Sequence, residues 1–152
     1  MEMNKTVSEI VSEAYFELEE MHMKTYEDDK ITVVTLDWDV SFDTYKASNN
    51  MRELIRFTVN HKNQIAYIAV RQSASGNCHV KILTYPITTF EMFQWRAILR
   101  DDYRRIVIDL KRLYEQREYN RLWDFKMMDD GSENVVRAGN WQSIYTINNG
   151  WL

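Results

Sequence analysis

Three aspartates at alternating positions of one segment are the best candidates for metal chemistry. Asp37, Asp39 and Asp43 alternate with apolar residues in one short segment. In a β-strand such side chains share a face and lie about 7 Å apart, so two carboxylates could hold one Mg²⁺ with bound waters. Asp37 and Asp39 would then serve a metal-dependent hydrolase. A solvated face or a charged sheet edge explains the same pattern, and the motif is too short to assign a metal ligand or a cofactor.

A run of glutamates at helical spacing lies before these aspartates. Glu9, Glu13 and Glu17 recur every four residues with Glu20 beside them, and we name these four residues the acidic ridge. Like charges at this spacing repel by a few tenths of a kcal/mol per pair, so the ridge serves either solubility or a cationic partner. Residues 1–45 hold three lysines and twelve acidic residues, a density that would steer a basic protein toward the chain.

The acidic first third gives the leading functional hypothesis. We expect a small intracellular binding protein of the inhibitor, immunity or adaptor type that engages a basic partner protein. Its composition resembles that of phage or mobile-element products. The alternative is that the chain's own arginines neutralise the acidic residues. The predicted partner-binding residues are Glu9, Glu13, Glu17, Glu20, Asp37, Asp39 and Asp43.

Basic residues predominate in the middle of the chain. Residues 46–121 hold fourteen basic and seven acidic residues. Within them Arg96, Arg100 and Arg104 recur every four residues and are named the basic ridge. Arginines neutralise phosphates and exposed aromatic rings stack on bases, so nucleic-acid binding is an alternative function, although the acidic residues could form ordinary helix pairs here. The residues predicted for it are Tyr67, Arg71, Lys81, Arg96, Arg100 and Arg104.

The sequence lacks the signatures of several enzyme classes. The four glycines never cluster, which excludes a phosphate-cradling loop and a dinucleotide fingerprint. The sequence has no Cys-x-x-Cys, His-Glu-x-x-His or Gly-x-Ser-x-Gly motif. Cys78 and His79 would point to opposite faces of a strand, so they cannot act as nucleophile and base. We therefore expect a protein without catalytic activity, in which Cys78 is a small buried residue.

Length and composition predict a single α+β domain over residues 1–152. A chain of this length with 45% hydrophobic residues can bury about two-thirds of its unfolded surface without a disulfide or metal. One cysteine gives no sign of an oxidising compartment, and the first residues lack the apolar core of a secretory signal. No apolar run approaches the roughly 20 residues that cross a bilayer. We therefore expect a cytoplasmic protein that does not contact membranes.

Local patterns predict the elements that position these residues. A capping box that begins at Thr6, followed by apolar residues at spacings of three and four, predicts a helix over about 7–25. Alternating and β-branched residues predict a strand over 31–43. Residues 53–60 also alternate and are predicted as a strand, although a short helix is compatible with them.

The clearest prediction is a hairpin of two strands, 65–72 and 78–85. A turn rich in serine and glycine joins the two segments. If Arg71 lies opposite His79, the apolar residues of both strands share one face and the polar residues share the other. A slip of one residue would mix the two sets, so the hydrophobic pattern selects this register.

A second capping box begins at Thr88 and starts an apolar stripe that continues to about 122. A straight helix over 88–122 would be about 52 Å long, whereas a domain of this size is about 38 Å across. The helix must either bend near Asp101-Asp102 or project and be covered by a second copy, which predicts a homodimer. With a last strand at 141–147, we expect an antiparallel sheet of about five strands with the N-terminal helix and the long helix on one face.

Overall fold

The computed structural model of the chain describes residues 5–22, 30–127 and 135–152. Within these ranges the helices are α1 (Val7–His22), α2 (Asn49–Asn60), α3 (Thr89–Ile98) and α4 (Tyr103–Tyr114). The strands are β1 (Ile31–Ser41), β2 (Ile65–Gln72), β3 (Asn77–Ile87), β4 (Phe125–Met127), β5 (Val135–Arg137), β6 (Gln142–Thr146) and β7 (Gly150–Trp151). A short 3₁₀ helix over Tyr45–Ala47 connects β1 to α2.

Five strands form one antiparallel sheet in the order β1-β3-β2-β6-β7, while β4 and β5 pair with each other. With the four helices, this confirms the predicted α+β fold with an antiparallel sheet of about five strands. The strand predicted over 141–147 is β6. The helix predicted over 7–25 is α1, and the end of that prediction falls on residues 23–29, outside the described ranges.

The hairpin of β2 and β3 has the predicted register, with Arg71 opposite His79. Because register decides which side chains share a face, Ile68 and Val70 face the same side as Val80. This apolar side of the sheet belongs to a hydrophobic cluster to which all four described helices contribute. The helical residues of the cluster include Val11, Leu54, Phe93 and Ile106.

Residues 53–60 belong to helix α2, so the predicted strand is wrong. Ser48 starts the helix, because its hydroxyl accepts a hydrogen bond from the backbone N–H of Met51 at 3.2 Å. Met51, Leu54 and Phe57 then recur every three residues and are buried on one side of the helix. Apolar residues of this segment recur both with the period of a strand and with that of a helix, and the buried ones are those at the helical spacing.

The long helix predicted over 88–122 is divided into α3 and α4, and α4 ends at Tyr114. The bend is one of the two predicted solutions to its excess length. A projecting helix that needs a second copy is not formed, so this argument for a homodimer no longer holds and the homodimer stays a prediction. None of the described helices combines the length and apolarity needed to cross a membrane.

Two local motifs explain the bend between α3 and α4. Arg100 adopts a left-handed backbone conformation with φ of 63°, and the N–H of Asp101 donates to the carbonyl of Arg96 at 2.9 Å. This pattern closes a helix by satisfying its last carbonyl groups. Asp102 then starts α4, since its carboxylate accepts from the backbone N–H of Arg104 at 3.0 Å.

β1 lies at the edge of the sheet, and side chains rather than another strand satisfy its outer backbone groups. The side-chain oxygen of Asn120 accepts from the N–H of Thr35 at 3.1 Å, and its amide nitrogen donates to the carbonyl of Val33 at 2.8 Å. Asp101 accepts from the N–H of Asp37 at 2.8 Å. An unpaired edge is a template for pairing with other chains, so these side chains close the sheet.

Candidate functional site

A group of buried charges lies where α3, α4 and β1 meet. Arg96 is fully buried and forms ion pairs with Asp101 at 2.7 Å and with Asp109 at 2.8 Å. Arg105 pairs with Asp101 at 2.8 Å, and Arg112 pairs with Asp109 at 3.0 Å. We name these five residues the charge cluster. The basic ridge predicted from Arg96, Arg100 and Arg104 is therefore wrong at Arg96, which turns into the protein rather than toward solvent.

Backbone donors complete the hydrogen bonding of the two buried carboxylates. Asp101 accepts from the N–H groups of Asp37 and Asp102 at 2.8 and 2.9 Å in addition to the two arginines. Asp109 accepts from the N–H of Asn120 at 3.0 Å. Buried ion pairs persist only when their remaining hydrogen-bonding positions are filled in this way. The cluster therefore fixes the two helices and residues around 120 against β1.

The second polar group is a row across three strands of the sheet. Asp37 of β1, His79 of β3 and Arg71 of β2 occupy directly opposing positions, and we name them the polar row. Arg71 Nε donates to His79 Nδ1 at 3.0 Å, which leaves the imidazole proton on Nε2. That atom lies 3.8 Å from Asp37 Oδ1.

Burial shifts the pKa of two members of the polar row in opposite directions. Desolvation raises the pKa of Asp37 to about 6, although the charge of Arg105 favours the carboxylate. Desolvation, followed by the charge of Arg71, lowers the pKa of His79 to about 4. His79 is therefore neutral at pH 7, and Asp37 holds a proton at mildly acidic pH.

We expect the free energy of unfolding of the Asp37→Asn variant to rise relative to that of the wild type as the pH rises. The pKa of Asp37 is 3.8 in an ordinary carboxyl and about 6 in the folded protein. Between these values the folded protein binds more protons than the unfolded chain, so this group lowers stability as the pH rises. Urea denaturation from about pH 4 to pH 7 should show the stability difference, variant minus wild type, rising up to about pH 6 and then levelling.

The exposed Asp43→Asn substitution is the control, because its stability difference should stay nearly constant with pH. A constant difference for Asp37→Asn would contradict the raised pKa of Asp37. Comparison between variants is needed because the His79 shift acts in the opposite direction: a lowered histidine pKa makes the folded protein more stable as the pH rises from about 4 to 6.5.

The polar row opens into a cleft of about 970 Å³. Asp37 and Asp39 of β1 form one wall, and Arg100 and Arg104 from the junction of α3 and α4 form another. Val7, at the start of α1, lines the same cleft. The acidic residues of β1 therefore lie beside arginines of the same chain, although neither aspartate is bound to Arg96.

The aspartates of the metal hypothesis do not gather further ligands. The carboxylate of Asp39 accepts a hydrogen bond from the side chain of Asn77 at 3.2 Å. In the ranges that the structure describes, no three side chains of the metal-binding types come together in a possible metal site. The hypothesis that Asp37 and Asp39 are metal ligands therefore gains no support from the described residues.

Three of the four residues of the acidic ridge lie on the outer side of α1. Glu9, Glu13 and Glu17 are exposed, and Glu13 pairs with the exposed Lys5 at 2.8 Å. This contact raises the pKa of Lys5. Glu20 belongs to α1, but its side chain lies outside the description. Asp39 of β1 is exposed and Asp37 is half-buried. β1 ends at Ser41, two residues before the end of the predicted strand, so the exposed Asp43 lies in the turn that follows it.

An apolar groove runs between α1 and α4, beside the acidic ridge. Its volume is about 460 Å³. Tyr103, Val107 and Tyr114 of α4 are 45%, 46% and 41% exposed, and Ile10 and Ala14 of α1 face them across the groove. The apolar stripe of α4 predicted Tyr103 as a core residue, but the stripe is broader than the core needs, and its outer part remains in solvent.

The residues predicted to bind nucleic acid do not form one surface. Arg71 and Arg96 are buried. The ammonium group of Lys81 lies 4.4 Å from the ring centre of Trp141, and the hydroxyl of Tyr67 accepts a hydrogen bond from Ser143 at 2.8 Å. Arg100 and Arg104 are exposed at the cleft. Because Arg71 and Arg96 are buried, these six residues do not form the predicted surface of exposed arginines and aromatic rings.

No known relative explains the cleft beside the polar row or the α1–α4 groove. Comparison of the chain with protein families, with curated proteins and with solved structures finds no match.

Proposed function

We propose that the protein is a binding protein whose α1–α4 groove holds a basic amphipathic helix of a partner protein. The observation that carries this proposal is the position of the exposed apolar groove directly beside three exposed glutamates. Amphipathic helices bind in grooves of this kind through apolar residues at spacings of three and four. A cytoplasmic location is part of the proposal.

The positions on α1 account for both parts of the interaction. Ile10 and Ala14 line the groove, and Glu17 lies at its margin. Glu9 and Glu13 are one helical turn apart on the side that faces away from the buried Val11. A partner helix in the groove would therefore bring its flanking lysines or arginines within reach of the acidic ridge.

The apolar groove and the acidic ridge contribute differently to binding. Burial of half-exposed side chains such as Tyr103 and Val107 supplies affinity, because aromatic and aliphatic contacts at the centre of an interface dominate its energy. Exposed charges at the margin supply rapid association and orientation and are weakened by salt. The Lys5–Glu13 pair is exposed on both sides, so a partner cation can replace Lys5 at little cost.

We expect the Val107→Glu variant to lose binding of a synthetic helical peptide made of leucine and lysine, with the leucines on one face. A carboxylate at this position of the groove lining would be buried among apolar groups when the peptide binds, and affinity should fall by at least about ten-fold. Fluorescence anisotropy of the labelled peptide measures the loss. The matched control is Val59→Glu, at a more exposed valine of α2, which should leave binding unchanged.

The charges are tested separately by replacing Glu9, Glu13 and Glu17 together with glutamine. The association rate should fall, and its dependence on salt should become weaker. Glu53→Gln, on α2, is the control. Equal binding by Val107→Glu and Val59→Glu would overturn the groove as the site. An unchanged association rate in the triple variant would overturn the role of the acidic ridge.

A further inference from the structure

Trp123 leaves its indole in solvent although its backbone is held in place. The ring is 70% exposed. The buried Arg71 donates to the carbonyl of Trp123 at 3.3 Å and to the carboxylate of Asp124 at 2.9 Å, and the carbonyl of Asp124 accepts from the N–H of Ala138 at 2.8 Å. A large aromatic residue whose backbone is held in this way can stack on a ligand without a further loss of backbone freedom.

Arginines surround the exposed indole. Trp123 lines two adjoining clefts of about 180 and 560 Å³, in addition to the cleft of about 970 Å³ beside the polar row. Arg112 and Arg121 line both clefts, Arg104 lines the smaller one, and Arg117 lines the larger one. We name the residues Arg104, Arg112, Arg121 and Trp123 the arginine cleft.

Acidic residues also line these clefts, but most of them are already engaged. Asp102 accepts the first hydrogen bond of α4, Asp124 pairs with Arg71, and Glu118 pairs with Arg121 on the surface. The fourth acidic residue is the half-buried Asp37 of the polar row. The surface pair of Glu118 and Arg121 is weak enough for an anion to displace it.

The wall of the smaller cleft has a surplus of hydrogen-bond donors. The charge cluster behind it sets three guanidinium groups, those of Arg96, Arg105 and Arg112, against two carboxylates. Nε of Arg105, which lines this cleft, is buried and meets no acceptor among the described residues. A site with spare donors and spare positive charge favours an anion with several oxygen atoms, such as a phosphate.

We propose that the arginine cleft binds a nucleoside phosphate, with the base stacked on Trp123 and the phosphate held by Arg104, Arg112 and Arg121. Proteins bind single-stranded nucleic acids by stacking the bases on aromatic rings and by neutralising the phosphates with arginine. The same chemistry fits a free nucleotide and a single strand. The two clefts share no lining residue with the α1–α4 groove, so the proposal does not depend on peptide binding there.

The test measures anisotropy of a fluorescein-labelled oligothymidylate at low salt, with thymidine monophosphate as the unlabelled competitor. Trp123→Ala should weaken binding by at least about five-fold, and Trp123→Phe should retain part of it. Replacing Arg104 and Arg121 together with glutamine should make the slope of log affinity against log salt shallower, by about 0.7 for each phosphate that the variant no longer neutralises.

The controls are Trp151→Ala, at a partly exposed tryptophan of β7, and Arg56→Gln, at an exposed arginine of α2. Both should bind like the wild type. Competition by the mononucleotide would assign the site to free nucleotides, and binding of the strand without such competition would assign it to single strands. The proposal is overturned if the oligothymidylate does not bind, or if Trp123→Ala binds as tightly as Trp151→Ala. Binding of the leucine–lysine peptide should be unchanged in Trp123→Ala, which separates this test from that of the groove.

Discussion

Replacing Asp101 with asparagine is expected to lower the free energy of unfolding by about 3–5 kcal/mol, the range found when one partner of a buried ion pair is removed. The Asp101 carboxylate accepts from Arg96, Arg105 and two backbone N–H groups, and its side chain is fully buried. An amide would turn an N–H₂ group toward donors and leave guanidinium charge unpaired. Since whole domains are stable by about 5–15 kcal/mol, this one change should remove much of the total.

Urea denaturation followed by tryptophan fluorescence measures the loss. Asp102→Asn is the matched control, because Asp102 is exposed and asparagine also caps helices well. We expect this control to lose less than about 0.5 kcal/mol. A loss below about 1 kcal/mol for Asp101→Asn would show that the charge cluster contributes little to stability.

Replacing Asn120 with alanine should both destabilise the protein and make it self-associate. The Asn120 side chain satisfies the N–H of Thr35 and the carbonyl of Val33 at the outer edge of β1. Each of these two backbone groups costs about 1–3 kcal/mol if it is left buried without a partner, so we expect a loss of about 2–6 kcal/mol. An edge without its partners can pair with another chain, and light scattering should show association that increases with protein concentration.

Asn120→Gly separates the hydrogen bonds from backbone strain. Asn120 has φ of 63°, which glycine adopts freely and alanine does not. The glycine variant should lose the same hydrogen bonds but about 1 kcal/mol less stability than the alanine variant. If both variants stay monomeric and unfold within about 0.5 kcal/mol of the wild type, Asn120 does not protect the edge of the sheet.

Local patterns were sufficient to predict the hairpin. The register that places Arg71 opposite His79 follows from alternation over both strands, because only one pairing keeps the apolar residues together. The hairpin depends on near neighbours in sequence, which one chain displays fully. The break near Asp101-Asp102 was only one of two alternatives, because the length argument also allowed a projecting helix covered by a second copy.

The charge cluster could not be predicted from spacing. Arg96, Arg100 and Arg104 recur every four residues, but the bend after α3 ends the common helix on which they would have formed a ridge. Burial of Arg96 depends on Asp109, thirteen positions further along the chain. Spacing within one helix does not reveal which of several charged residues meets a partner on another element.

The candidate binding surfaces were only partly predicted. Exposure of Glu9, Glu13 and Glu17 agrees with the acidic ridge, whereas the groove beside it was missed because Tyr103 fitted the core stripe. Trp123 lies in a segment without regular structure, where no period indicates which side chains face solvent. Its exposure depends on the long-range contact with Arg71.

The closure of β1 by Asn120 also affects how the chain is made. Asn120 follows Thr35 by 85 residues, so a ribosome completes β1 long before it adds the side chain that covers its outer edge. At about 5–20 residues per second, the nascent strand remains open for several seconds. During this interval neighbouring nascent chains on the same messenger RNA can pair with the open strand. A chaperone that covers the first forty residues would therefore increase the yield of folded protein more during this interval than after Asn120 has been added.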